Sequence, residues 1–135
     1  MPDNNELERI RYLQDYYSGE YDTVIRSISS YNMLLASLNR TKETIKNAKK
    51  ISDANILVSI DSNVFIGATT KAVDQVITSI GAGYFIEKSP DDAEQFVSGN
   101  IEKVSSNLKT LDKQRDALAK ELYKLSISLS SQVQQ

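Results

Sequence analysis

VSGNIEKVSSNLKTLDKQRDALAKELYKLSISL, residues 97–129, decides the architecture. The residues of its heptad seam are Val97, Ile101, Val104, Leu108, Leu111, Leu118, Leu122, Leu125 and Leu129. They are separated by alternating steps of four and three, and only Arg115 breaks the series. A repeat of about 3.5 residues keeps one narrow stripe of a helix facing a partner helix. A helix of a compact globule carries a broader apolar face instead. Nearer the start, Ile10, Tyr17, Val24, Tyr31, Leu38 and Ile45 recur every seven residues. Leu7, Tyr21, Ile28 and Leu35 fill the intermediate positions of that seam, which Gln14 and Lys42 interrupt. Two helices of this kind predict a coiled coil.

The ends of these stretches carry stop and start signals. Asp3 is placed to cap the first helix, with Glu6 in capping-box spacing. This helix is expected from about residue 4 to about residue 50, where Ser52-Asp53-Ala54-Asn55 favours a turn. Ser89 suits an N-cap and Pro90 the first helical position, and Asp91 and Asp92 put negative charge in the first turn. The second helix is expected from about residue 90 to about residue 130.

Between the helices, about residues 55–88 read as four short strands. Ile56, Val58 and Ile60 alternate with Leu57 and Ser59, and Val64, Ile66 and Ala68 alternate with Phe65 and Gly67. Asp61-Ser62-Asn63 turns one strand into the next. Val76, Thr78 and Ile80 alternate with Ile77 and Ser79, and Gly81-Ala82-Gly83 then leads into Tyr84-Phe85-Ile86-Glu87. The result is two antiparallel hairpins. An even number of strands returns the chain to the side it left, so two helices of matched length are expected to pack antiparallel on each other within one chain, with a parallel dimer of either helix as the alternative. Two hairpins alone expose strand edges and make a poor free-standing sheet. Strands apolar on both faces fit a larger sheet or barrel. The centre is therefore read as an oligomerisation module, carried by Ile56, Val58, Val64, Ile66, Val76, Ile77, Tyr84 and Ile86.

Composition narrows the chemistry. The chain has 135 residues, no Cys and no His. Thiolate nucleophiles, disulfides and imidazole or thiolate metal sites are absent, along with the commonest general base. Net charge is −2, from 18 acidic and 16 basic residues spread evenly along the sequence. The densest basic group, Lys42, Lys46, Lys49 and Lys50, reads as cations near a helix C-terminus rather than a nucleic-acid face. No apolar run approaches the roughly 18 residues of a membrane span, and the first residues do not resemble a signal peptide. The expectation is a single domain in the cytoplasm, with no enzymatic role, no cofactor, no metal, and no nucleic-acid or membrane partner. Asp91 and Asp92 read as helix-capping charges, and Gly81-Ala82-Gly83 precedes a strand, whereas a phosphate loop precedes a helix.

The order helix, two hairpins, helix, together with Ile80-Gly81-Ala82-Gly83-Tyr84-Phe85-Ile86-Glu87-Lys88, resembles the alpha class of archaeal prefoldin subunits over nearly the whole chain. Beta-class subunits carry one hairpin instead of two. Val58-Ser59-Ile60-Asp61-Ser62-Asn63 departs from the Pro- and Gly-rich loop common after the first strand, while keeping turn-forming residues. The resemblance implies an α+β fold: a long antiparallel α-helical coiled coil with two central β-hairpins that join an oligomeric β-barrel. It also implies a hexamer of two alpha and four beta subunits. Such a particle holds non-native polypeptides at its coiled-coil tips, without ATP, and passes them to a group II chaperonin.

Candidate tip residues follow from the seam. Tyr12, Leu13 and Tyr16 in the first helix, and Ile127 and Val133 in the second, fall outside the heptad positions. Exposed apolar surface at the free end of a coiled coil suits the capture of unfolded chains. Arg115, inside the seam, reads as a register-setting residue that directs its charge outward. The rival function is a structural scaffold or tether that forms homomeric rings or filaments.

Overall fold

The structure is a computed structural model that describes residues 3–134. Its elements run α1 (Asn4–Ala48), β1 (Asn55–Asp61), β2 (Val64–Thr69), β3 (Val76–Gly81), β4 (Tyr84–Lys88) and α2 (Pro90–Val133). The strands pair in sequence order as two separate two-stranded antiparallel sheets, β1 with β2 and β3 with β4. The chain divides into two compact units. One takes the part of α1 up to Leu35 and the part of α2 from Val104 onward, and the other takes residues 36–103.

The caps form as their residue types dictate. The Asn5 N–H donates to the Asp3 carboxylate at 3.1 Å, and the Asp92 N–H donates to Ser89 Oγ at 3.1 Å. Pro90 is the first residue of α2, where its missing N–H costs nothing. The first helix stops at Ala48, slightly before the expected residue 50. The Lys50 and Ile51 N–H groups bond to the carbonyls of Asn47 and Ala48, which tightens the end into three-residue turns. Asp53, at φ 56°, then reverses the chain. The second helix continues to Val133, beyond the expected 130, since its seam and its helix-forming residues run on.

In the first unit, α1 and α2 bury their seams against each other. Ile10, Val24 and Val104 are buried, and the remaining seam residues of both helices are half-buried. Tyr31 of α1 meets α2 around Leu111, where the two helices line a shallow groove. Arg115 is half-buried and directs its guanidinium along its own helix, to Asp112 at 3.2 Å and Asp116 at 3.3 Å. A charge on the seam is thus neutralised at its rim, as its position predicts.

In the second unit, Ile45 of α1 packs on Ala93 and Val97 of α2, with Leu38, Ile101 and Val76 around them. The pairing runs antiparallel, since Leu38 and Ile101 flank Ile45 and Val97 from the same side along opposed chains. Of the strand residues, Val76 alone joins this core. The first hairpin is closed at its base by Thr70, whose N–H reaches the Ala54 carbonyl at 2.9 Å while its own carbonyl accepts from Asp53 at 3.0 Å. Each hairpin carries a β-bulge, between Ser59 and Asp61 in one and between Ser79 and Gly81 in the other.

Candidate functional site

Two regions hold the residues singled out from sequence, one in each unit. At the end of the first unit, where α1 begins and α2 finishes, Tyr12 is 69% exposed and Val133 70%. Tyr16 and Ile127 are also exposed, and the rings of Tyr16 and Tyr17 meet edge to face at 5.5 Å. Leu13 differs from the other four: it is half-buried. It lies one turn from both Ile10 and Tyr17, so it borders the seam instead of facing away from it. Tyr123 is exposed on the turn of α2 before Ile127, four residues away on the same helix face. It escaped the sequence reading because a single Tyr between Leu122 and Lys124 has no periodic signal of its own.

The second region is the pair of hairpins. Ile56, Val58, Val64, Ile66, Ile77, Tyr84 and Ile86 are exposed, and Val76 is half-buried under the helix core. Pairing directions sort them by face. Ile56, Val58, Ile66 and Ala68 share one face of the first hairpin, because Ile56 opposes Ala68 and Val58 opposes Ile66. Leu57, Ser59, Phe65 and Gly67 share the other. In the second hairpin Ile77, Ser79, Phe85 and Glu87 lie on one face, and Val76, Thr78 and Ile86 on the other. Both faces of each sheet are therefore apolar in part. Leu57, Phe65 and Phe85 are as exposed as the residues named from sequence.

Charge at the base of the second unit is organised around Lys49. Its ammonium bonds the carboxylates of Asp91 and Glu94, the latter at 3.0 Å, and Lys46 approaches Glu94 at 3.8 Å. The hydrogen bonds to Asp91 and then Glu94 hold the Lys49 ammonium above the usual lysine range. The reciprocal bond from Lys49 holds the Glu94 carboxyl below the usual carboxylate range. Two of the four lysines in the basic group thus pair within the chain, which agrees with a helix-terminal role. Lys88, at the end of β4, lies over the Phe96 ring at 3.9 Å and ties the second hairpin to α2. Among the described residues no acidic cluster has the arrangement of a metal site, and no helix is long and apolar enough to cross a membrane.

The family model for the prefoldin subunit matches residues 17–135. The chain belongs to the prefoldin family. Among its relatives, prefoldin subunit alpha of Pyrococcus horikoshii is 28% identical over 108 residues, covering 78% of this chain and 73% of that protein. Prefoldin subunit alpha of Methanococcus maripaludis is 23% identical over 111 residues, or 82% and 76% of the two chains. The likeness to archaeal alpha-class subunits holds over most of the sequence. Among solved structures, filamentous PFD from Methanocaldococcus jannaschii superposes with a TM-score of 0.75 at 18% identity, covering 87% of this chain and 98% of that one. The prefoldin beta subunit from Thermococcus strain KS-1 gives 0.66 at 14%, covering 97% and 96%. The two long helices and two antiparallel hairpins are the prefoldin fold, and membership in the family makes this a chaperone-type subunit.

Proposed function

We propose that this prefoldin subunit is an ATP-independent holdase that captures non-native polypeptides at the helix end of the first unit. The observation that carries this reading is the exposure of Tyr12, Tyr16, Ile127 and Val133 on helices whose seam is already closed. Nothing in the coiled coil itself needs those side chains, whereas an unfolded chain presents apolar segments that bury against them. In this reading the hairpins close a β-barrel with those of beta-class subunits, two alpha with four beta, and the particle delivers clients to a group II chaperonin. Each tip contact is weak. Several tips on one platform raise the effective concentration of the next contact, so weak contacts add up. The chain does no chemistry on its clients. Its place of work is the cytoplasm.

The test replaces Tyr12, Tyr16, Ile127 and Val133 together with Ser. Exposed substitutions of this kind each alter stability by less than about 0.5 kcal/mol. The expected result is an assembly of unchanged size that no longer suppresses aggregation of a denatured test protein. Full protection by that variant would exclude the tip as the capture site. A second reading, a homomeric scaffold, has one observation in its favour: the similarity to a prefoldin that forms filaments. Light scattering of the chain alone and mixed with a beta-class subunit separates the two, because a scaffold assembles fully without the partner.

A further inference from the structure

The charge balance that is even over the first 50 residues is uneven within them. Residues 3–22 hold six acids and two bases, while residues 23–50 hold one acid and six bases. Four of the seven tyrosines, Tyr12, Tyr16, Tyr17 and Tyr21, fall in the same acidic stretch. Acids and aromatic rings thus share the starting end of α1, and the cations lie toward the hairpins.

The helix sets these residues in order. Glu8, Tyr12, Tyr16 and Glu20 follow one another at intervals of four, so they form a single row along the surface of α1. Asp15 lies one turn from Tyr12, at the edge of that row. All five residues are exposed. Among the described residues, no cation pairs with Glu8, Asp15 or Glu20, whereas Asp91, Glu94, Asp112, Asp116 and Glu121 all have one. Among the same residues the cation that lies over an aromatic ring is Lys88, on Phe96, so the Tyr12 and Tyr16 faces are not taken in this way. The helix dipole explains Glu6, in the first turn of α1, but fades beyond that turn, and Asp15 and Glu20 lie well past it. Helix stability therefore does not account for this row.

We propose that the α1 side of the tip selects, among non-native polypeptides, extended segments in which arginine or lysine alternates with apolar residues. The inference rests on the capture reading above and deepens it by naming the class of client. A tyrosine ring has an apolar body on which an aliphatic or aromatic side chain buries, and an electronegative face that attracts a cation. A carboxylate one turn from each ring then meets the same cation. Charge complementarity thus selects a basic partner and disfavours nucleic acid, an anionic membrane or an acidic segment. The mixture of cation and apolar surface selects an unfolded one. A folded protein keeps most of its large apolar side chains inside and its lysines and arginines outside, so the two are offered together along an extended stretch when the fold is lost.

Binding of short fluorescent peptides to the full chain, assembled with a beta-class subunit, tests this. One peptide alternates leucine and phenylalanine with arginine, a second has glutamate in place of the arginine, and a third has serine there. Anisotropy titrations are expected to rank arginine above serine and serine above glutamate. The gap between first and last should be about tenfold, the size of two or three exposed ion-pair and cation–π contacts. Glu8→Gln/Asp15→Asn/Glu20→Gln is expected to bring the arginine and glutamate peptides within about twofold of each other. Tyr12→Leu/Tyr16→Leu, which keeps apolar surface but removes the rings, is expected to narrow the gap to about threefold. Equal binding of the three peptides by the wild-type assembly overturns the proposal. So does a gap that the amide variant keeps, since the preference then belongs to the beta-class subunit. Competition by native lysozyme, folded and cationic, as effective as that of the arginine peptide also overturns it, because the surface then takes basic proteins whether or not they are unfolded. If none of the peptides binds the wild-type assembly, the tip-capture reading itself fails, and this inference with it.

Discussion

Val24 and Leu57 are both aliphatic, yet the chain treats them oppositely. Val24, in the first unit, is 8% exposed, while Leu57, on the first hairpin, is 73% exposed. The contrast lies in what each element needs. A helix with a heptad seam needs one partner along one stripe, and this chain supplies it from its other helix. A two-stranded ribbon has two faces and two open edges. Here the helix core covers Val76; Ala68, Thr78 and Lys88 are half-buried, and the other residues of both ribbons are exposed. The helices are complete within one chain, whereas the hairpins carry their requirement outward to other chains.

The strongest way to break this contrast is to place a charge on the hairpins. Ile77→Asp or Ile86→Asp is expected to abolish assembly in size-exclusion chromatography with light scattering, while far-UV helicity stays near wild type. A variant that keeps the wild-type size would mean that the hairpins are not the assembly surface. Next in size is Ile45→Ala in the helix core of the second unit. Ile45 is buried against Ala93 and Val97, and its truncation is expected to cost about 2 kcal/mol, the lower end for such changes because this core is small. Thermal melting followed by circular dichroism should register that loss whether or not the partner is present. A loss seen only in the assembly would show that the helices depend on it too.

A smaller effect belongs to the turn of the second hairpin. Gly81 has φ 97°, and an added Cβ would meet nothing within 4 Å. Gly81→Ala therefore isolates the backbone cost of a left-handed conformation, about 1–2 kcal/mol. It should raise the concentration needed for assembly without changing the helical melting of the dissociated chain. Smallest of all is the Lys49 network. Lys49 is held above its usual range, so its contribution is whole below the unfolded lysine pKa and fades as pH rises through the folded one. Glu94 is held below its usual range, so its contribution is whole above the unfolded carboxylate pKa and fades as pH falls through the folded one. Stability should thus depend on Lys49 most across the neutral range. Lys49→Gln should lower the melting temperature slightly there, and added salt should shrink the difference. A difference that persists in high salt would mean the lysine acts by packing.

The helices were legible because a heptad names both the element and its need for a partner. Gln14, Lys42 and Arg115 did not obscure the pattern, since each is half-buried at the seam position it was expected to hold. Ser89 and Pro90 were equally readable, because capping depends on neighbours in sequence. Leu13 is half-buried where an off-seam position suggested exposure: heptad bookkeeping sorts residues as on or off the stripe, and the flank between them is real surface that a neighbouring helix covers in part. The exposure of Leu57, Phe65 and Phe85 was beyond such reasoning, since strand alternation does not say which face of a ribbon the rest of the chain leaves open.

The bulges have a consequence for safety as well as for shape. A neutral, apolar ribbon with open edges is the kind of segment that stacks into cross-β fibres, which require flat strands in continuous register. The extra residue between Ser59 and Asp61, and again between Ser79 and Gly81, interrupts that register and coils the ribbon. Strand addition to a coiled ribbon bends round with each step, so it favours closure over endless growth. A chaperone subunit that must wait for its partners with sticky strands exposed thereby carries its own guard against becoming an aggregate.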